Sequence, residues 1–255
     1  MDQNNLGQKL RWYQSWFGVM LLGLGVTILF FILFIAGSIG YYYWQIRQGH
    51  GQILFNKFYG GFSANKEIKN NNTTNGTVKF SREELEINSA PFLGSNNPKV
   101  TIVEFVDFKC PNSKAAAPIL RQMMQKYGNK VKLIIRNFPV ESTRAGANEL
   151  AVLSMCAYNQ GYYWPLHDWL YEQQDVLGSK LTNEQLDAMA TIFGWDGPKI
   201  KECLSSTSAK VNVNKDFADA YRFGVGGTPT FFINGEKVEG VVPLEAWEVF
   251  LKNVK

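Results

Sequence analysis

Cys110-Pro111-Asn112-Ser113 is the segment whose residue types and spacing can do chemistry. It follows a short β-branched run, Val100–Val106, and precedes Ile119, Leu120, Met123, Met124 and Tyr127 at helical spacing. Cys110 therefore stands where a strand hands over to a helix. At such an N-cap the amides of Asn112 and Ser113 point towards the sulfur, and the positive end of the helix dipole favours thiolate over thiol. Lys109 and Lys114 add positive charge. This is the microenvironment of a nucleophilic cysteine, whereas an inert buried cysteine belongs in an apolar site away from a helix start. The chain has three cysteines, an odd number, so either one thiol is left over or all three are reduced. Cys156 shares a helical face with Val152 and Cys203 follows Ile200 by three, so both read as core-facing rather than poised beside Cys110. No Cys/His spacing suggests zinc, and neither a metal nor a cofactor is expected.

The elements that must position this segment occupy only part of the 255 residues. Hydrophobic residues at 45% and charged residues at 19% fit a globular chain and exclude a collagen-like or wholly disordered one. The net charge of +4 is concentrated in residues 1–60, where Lys9, Arg11, Arg47 and Lys57 face only Asp2. The remainder is close to neutral, so no basic face for nucleic acid is implied. Phe17 to Gly40 is almost wholly apolar, and as a helix it reaches about 36 Å, enough to cross a hydrocarbon core of about 30 Å. Trp12, Tyr13 and Trp16 before it and Tyr41–Trp44 after it read as interfacial aromatic belts. The competing reading is a cleaved signal peptide with Ala36-Gly37-Ser38 at the cleavage site, but a signal core is usually about 7–15 residues. The expectation is an uncleaved single-pass anchor, tail inside and C-terminal domain outside, although the flanking positive charges are nearly balanced.

Residues 47–90 read as a flexible tether, with the low-complexity run Lys69–Thr77 unable to bury enough surface to fold. Asn71, Asn72 and Asn75 begin Asn-x-Thr sequons that an Asn-rich run produces easily by chance. Beyond Pro91 the pattern is orderly. A strand is expected over Val131–Ile135, with Gly128 stopping the helix before it. A helical block is expected over about 142–220, where Thr182 and Gln185 form a capping box, Gly194 ends that helix and Asp196-Gly197-Pro198 starts the next. Strands over Thr230–Ile233 and Lys237–Val241 flank the hairpin turn Asn234-Gly235, and Pro243 opens a closing helix through Leu251. The order is that of an α/β domain, 91–255, carrying a helical insertion.

Asn97–Pro118 (NPKVTIVEFVDFKCPNSKAAAP) resembles the active-site segment of the DsbA-like thioredoxin-fold proteins, in which a Cys-Pro-x-Cys motif follows an aspartate-phenylalanine pair. Arg136–Pro139, Cys156–Gly161 with Trp164 and His167-Asp168, and Gly224–Gly240 (GVGGTPTFFINGEKVEG) match that family in order and spacing. The resemblance, over about Pro91–Leu251, implies a thioredoxin fold with an inserted helical domain and an extracytoplasmic setting. It also implies thiol-disulfide exchange on exported polypeptides, with an unidentified redox partner or small thiol.

By position, the resemblance makes Cys110 the nucleophile and Thr228-Pro229 the substrate-positioning cis-proline loop, with Pro111 beside it. The bland reading of Pro229 is an ordinary strand-start proline. Glu104 falls where the family carries a buried acid that moves a proton to or from the thiol, the alternative being a strand-edge carboxylate. Ser113 replaces the second, resolving cysteine; its hydroxyl can hydrogen-bond a thiolate but cannot replace the sulfur. A lone thiolate forms a mixed disulfide that another thiol must resolve, which leaves isomerisation or thiol-assisted reduction open. In an oxidising compartment Cys156 and Cys203 are the natural pair, as in some family members, the alternative being two buried thiols. Such a bridge would stabilise the fold by about 4 kcal/mol in the chain-entropy model. The expectation is a membrane-anchored thiol-disulfide oxidoreductase or isomerase; the rival is a non-catalytic thioredoxin-fold module that binds extracytoplasmic polypeptides. His167 and the aromatic residues around it are given no role.

Overall fold

The computed structural model describes residues 16–47 and 81–254. The chain divides into two compact units, Met1–Leu54 and Phe55–Lys255. In the first, a 32-residue helix, α1, runs over Trp16–Arg47. Its described side chains form an unbroken run only over Gly23–Gly37, and they are exposed. Among the described residues no helix is long and apolar enough to cross a membrane. The anchor expected over Phe17–Gly40 thus stays a reading of the sequence. The tail, Trp12, Tyr13, the sequons and tether residues 48–80 lie outside the described residues.

The second unit is built on a five-stranded sheet: β1 (Phe92–Gly94), β2 (Val100–Val106), β3 (Val131–Asn137), β4 (Thr230–Ile233) and β5 (Glu236–Glu239), in the order β1-β3-β2-β4-β5. Only β2 and β3 run parallel, and helix Pro111–Tyr127 (α3) makes their crossover. All seven residues of β2 are buried, as its unbroken β-branched run requires of a strand covered on both faces. Side chains alternate across the sheet. Val100, Ile102 and Val106 face one core with Leu133, Ile135, Phe231 and Ile233, covered by α3, Leu244–Lys252 (α9) and the insertion. Val103 and Phe105 face a second, smaller core with Ile134, Phe232, Phe223 and Val225.

The insertion comprises Ala147–Tyr158 (α4), Tyr163–Glu172 (α5), Asn183–Phe193 (α6), Gly197–Ser205 (α7) and Thr207–Arg222 (α8). Thr182 and Gln185 close their capping box, and Asp196 caps α7 by accepting from the Lys199 amide. Asn234 (φ 48°) and Gly235 (φ 92°) supply the two positive φ angles of a tight hairpin turn. Together these elements are a thioredoxin fold with an inserted helical region.

Several local expectations need correction. The tether reading extended too far: Ser81 and Glu84 form a capping box for a short helix, Arg82–Leu85 (α2), and Leu85 and Ala90 are buried in the smaller core. Four residues are too few for a helical period to show, and burial against the sheet holds them. The strand Phe92–Gly94 was not expected, β3 extends to Asn137, and β5 lies over Glu236–Glu239 rather than Lys237–Val241. Gly128 does end α3, as expected, with a right-handed φ of −60°.

Candidate active site

β2 delivers its C-terminal end to Asp107-Phe108-Lys109-Cys110, and a buried aspartate shapes the turn. Asp107 Oδ1 accepts the Lys109 amide at 2.8 Å, while Oδ2 accepts the Val140 amide and Arg144 Nη1, each at 3.1 Å. Cys110 is the N-cap of α3 with Pro111 in the first turn, as expected, but its side chain accepts no capping bond. Instead Cys110 Sγ donates to the Thr228 carbonyl at 3.1 Å. Thr228-Pro229 is a cis peptide, and its loop is pinned by Thr230 Oγ1 donating to the Gly227 carbonyl and Gly240 N donating to the Pro229 carbonyl.

Cys110 is 2% exposed, whereas Pro111 and Asn112 beside it are exposed. Ser113, expected to hydrogen-bond a thiolate, is buried with Oγ unpartnered; the thiol proton goes to Thr228 and not towards the hydroxyl. Lys109 and Lys114 flank the cysteine but reach away from it. Lys109 Nζ donates to the Leu177 carbonyl at 2.5 Å, and Lys114 Nζ pairs with Asp175 at 2.6 Å.

Glu104 is no strand-edge carboxylate. Its strand is flanked by β3 and β4, and alternation puts it on the face of Ile102 and Val106. It is buried, and burial pushes its carboxyl up to about 8. The phenols of Tyr163 and Tyr171 are raised well above their ordinary value, by burial first and then by the nearby Glu104 charge. The Tyr163 hydroxyl has no hydrogen-bond partner, and that of Tyr171 makes only a weak approach to Ser113. His167 sits among Phe108, Tyr163, Trp164 and Tyr171; burial lowers its pKa, with Asp168 opposing. Its Nδ1 lies 2.8 Å from Asp168 Oδ1.

Cys156 and Cys203 form a disulfide with Cα atoms 5.8 Å apart, tying α4 to α7 and leaving Cys110 as the free cysteine. With both sulfurs bonded to each other, neither is a resolving thiol for Cys110 in this state. Among the described residues no cluster of three or more His, Cys, Asp or Glu side chains is disposed to hold a metal. Sequence reasoning missed Gln174, whose Nε2 donates to the carbonyls of Phe108 at 2.8 Å and Cys110 at 3.1 Å. No local pattern marks it, because its partners lie more than sixty residues earlier.

The chain is similar to the Na(+)/H(+) antiporter NhaA 3 of Salinispora tropica, 31% identical over 153 residues, covering 60% of this chain but 23% of the antiporter. It thus spans under a quarter of the first such relatives. It is also 29% identical to the probable disulfide bond formation protein D of Bacillus anthracis, over 56% of this chain and 69% of that protein. A crystal structure of a thioredoxin-like oxidoreductase from Silicibacter pomeroyi DSS-3 superposes with a TM-score of 0.59 at 24% identity, covering 68% of this chain and 96% of that one. A thioredoxin family model matches residues 86–253. That span takes in the whole sheet, Cys110, the Thr228-Pro229 loop and the insertion, and the chain accordingly belongs to the thioredoxin family.

Proposed function

We propose that this protein is a membrane-anchored thiol-disulfide oxidoreductase, isomerase-like in mode, acting through the single thiol of Cys110 on cysteines of exported polypeptides. The observation that carries the reading is the contact between Cys110 Sγ and the Thr228 carbonyl, which brings a helix N-cap cysteine against the cis-proline loop. A sulfur there has the helix dipole behind it and an extended backbone beside it on which a substrate strand can align.

In the proposed cycle, Cys110 first loses its thiol proton. The thiolate attacks one sulfur of a substrate disulfide, forming a mixed disulfide and releasing the other sulfur as a thiolate. A different substrate thiolate then attacks the substrate sulfur of the mixed disulfide and expels the Cys110 thiolate, completing an isomerisation with no net electron transfer. An external small thiol in that second step can begin net reduction of the substrate. Ser113 gives the enzyme no sulfur with which to resolve the intermediate. Glu104, buried and protonated near neutral pH, is the group proposed to exchange a proton with the thiol.

The anchor belongs to the same proposal. Phe30, Phe31 and Phe34 are exposed on α1 along with most of its described apolar side chains, a surface that a lipid bilayer would cover. With α1 as a signal anchor over Phe17–Gly40, the domain stands outside the cytoplasm. There the Cys156–Cys203 disulfide is stable.

The alternative, a binding module for extracytoplasmic polypeptides, is favoured by the burial of Cys110. Incubating the full chain in detergent with a protein carrying scrambled disulfides separates the two. The enzyme reading expects recovery of native disulfides and a mixed disulfide trapped on Cys110. Equal reshuffling by the Cys110→Ala variant would sink it.

A further inference from the structure

The turn Gln173–Leu177, directly after α5 in the insertion, gathers three separate contacts to the Cys110 segment. Gln174 is 6% exposed, and the two hydrogens of its Nε2 go to the Phe108 and Cys110 carbonyls, on either side of Lys109. The Cys110 carbonyl also accepts the Lys114 amide at 3.0 Å in the first turn of α3, so Gln174 occupies its second acceptor position. The same turn takes the Lys109 ammonium on the Leu177 carbonyl and the Lys114 ammonium on Asp175.

We propose that Gln174 is a positioning residue for Cys110: its side-chain amide fixes the backbone on both sides of Lys109 and so sets where the sulfur lies relative to the helix start and the Thr228 carbonyl. The inference rests on the thiol chemistry proposed for Cys110. It adds that the helical insertion, besides covering the sheet, governs the reactivity of the nucleophile. A neutral amide suits the place, because a donor facing two carbonyls cannot be replaced by a carboxylate without repulsion. The titratable groups on the elements around the cysteine are Glu104 on β2, held neutral near pH 7 by burial, and the charged Asp107 with its partner Arg144, Lys109, Lys114 and Asp175; Gln174 adds no charge to them.

The test is the rate of Cys110 alkylation by iodoacetamide between pH 6 and 9, on the full chain in detergent, with thermal unfolding followed in parallel. Methionine at 174 keeps length and volume but removes the donor, so Q174M is expected to fold and to alkylate at a rate changed by about threefold at pH 7. Q174E turns a carboxylate onto the Phe108 and Cys110 carbonyls, adds a negative charge to the Cys110 segment and is expected to slow alkylation at pH 7 by about tenfold, with the deficit shrinking towards pH 9. A purely structural glutamine would lower the melting temperature and leave the pH profile unchanged. If Q174M follows the wild-type profile at every pH, the proposal is overturned, whether or not Q174E folds. Alkylation needs no substrate, so failure of wild-type disulfide reshuffling would remove the proposed function and leave this result standing.

Discussion

The thiol of Cys110 donates its proton to the backbone carbonyl of Thr228 across 3.1 Å, although 118 residues separate them in the chain. A carbonyl can accept only from the protonated sulfur, so this contact belongs to the thiol state. When the thiolate forms, that bond is lost and the helix start becomes the favourable partner. In the proposed cycle the Thr228 carbonyl would also be freed as an acceptor once Cys110 is in a mixed disulfide.

Placing a second sulfur at position 113 tests the proposed single-thiol mechanism. Ser113 is buried, and its Oγ makes only a weak approach to the Tyr171 hydroxyl, so Ser113→Cys is expected to cost little stability. The variant is expected to form an internal disulfide between Cys110 and the introduced thiol in oxidant, and to release substrate without an external thiol. Mass spectrometry after alkylation, with and without reductant, counts the sulfurs; a Cys110 thiol that stays free in oxidant would contradict the expectation.

Glu104 makes stability depend on pH with a definite sign. Its carboxyl is raised from 4.5 to about 8 by burial, so the folded state holds a proton that the unfolded state releases. Its contribution is fully present below about pH 4.5 and is lost as pH rises through about 8. Glu104→Gln is expected to flatten the dependence and to raise the urea midpoint at pH 8 relative to pH 5. The full effect is of order several kcal/mol. Parallel curves for wild type and variant across that range would rule the assignment out.

Removing the Cys156–Cys203 bridge by paired alanine substitution should lower stability by about 2–4 kcal/mol in the chain-entropy account. Trapping of a mixed disulfide on Cys110 should persist in this variant where it remains folded. Denaturant unfolding and non-reducing electrophoresis read the two outcomes separately.

Arg136 is fully buried, with Nε on Asp216 at 2.8 Å, Nη2 on Asp219 at 2.6 Å and Nη1 on the Glu84 carbonyl at 2.9 Å. It joins β3 to α8 and holds α2 in place. Arg136→Met would leave Asp216 buried without its cation, a loss of about 3–5 kcal/mol. Burial already raises the Asp216 pKa, against the opposing effect of Arg136. A variant as stable as wild type in urea would show that this network contributes nothing net.

What was legible in the chain was what neighbouring residues settle among themselves. The capping pair Thr182 and Gln185, the Asp196 cap, the Asn234-Gly235 turn and the all-buried strand Val100–Val106 each depend on contacts or patterns within a few residues. The position of Cys110 at a helix N-cap was set in the same way, by a β-branched run meeting a helical period. The short helix Arg82–Leu85 was missed although Ser81 and Glu84 form a local capping box, because four residues show no helical period and Leu85 and Ala90 are held by packing on the sheet.

Tertiary structure decided the surroundings of Cys110. The sulfur turned to the Thr228 carbonyl instead of the amides of its own helix, and Ser113 was left without a partner. Glu104 became a buried acid because β2 lies between β3 and β4. Gln174, from the insertion, took hold of the Phe108 and Cys110 carbonyls. A strand-to-helix cysteine can be specified by local propensity, but its hydrogen-bond partners and the solvation of nearby charges depend on chain segments tens of residues away.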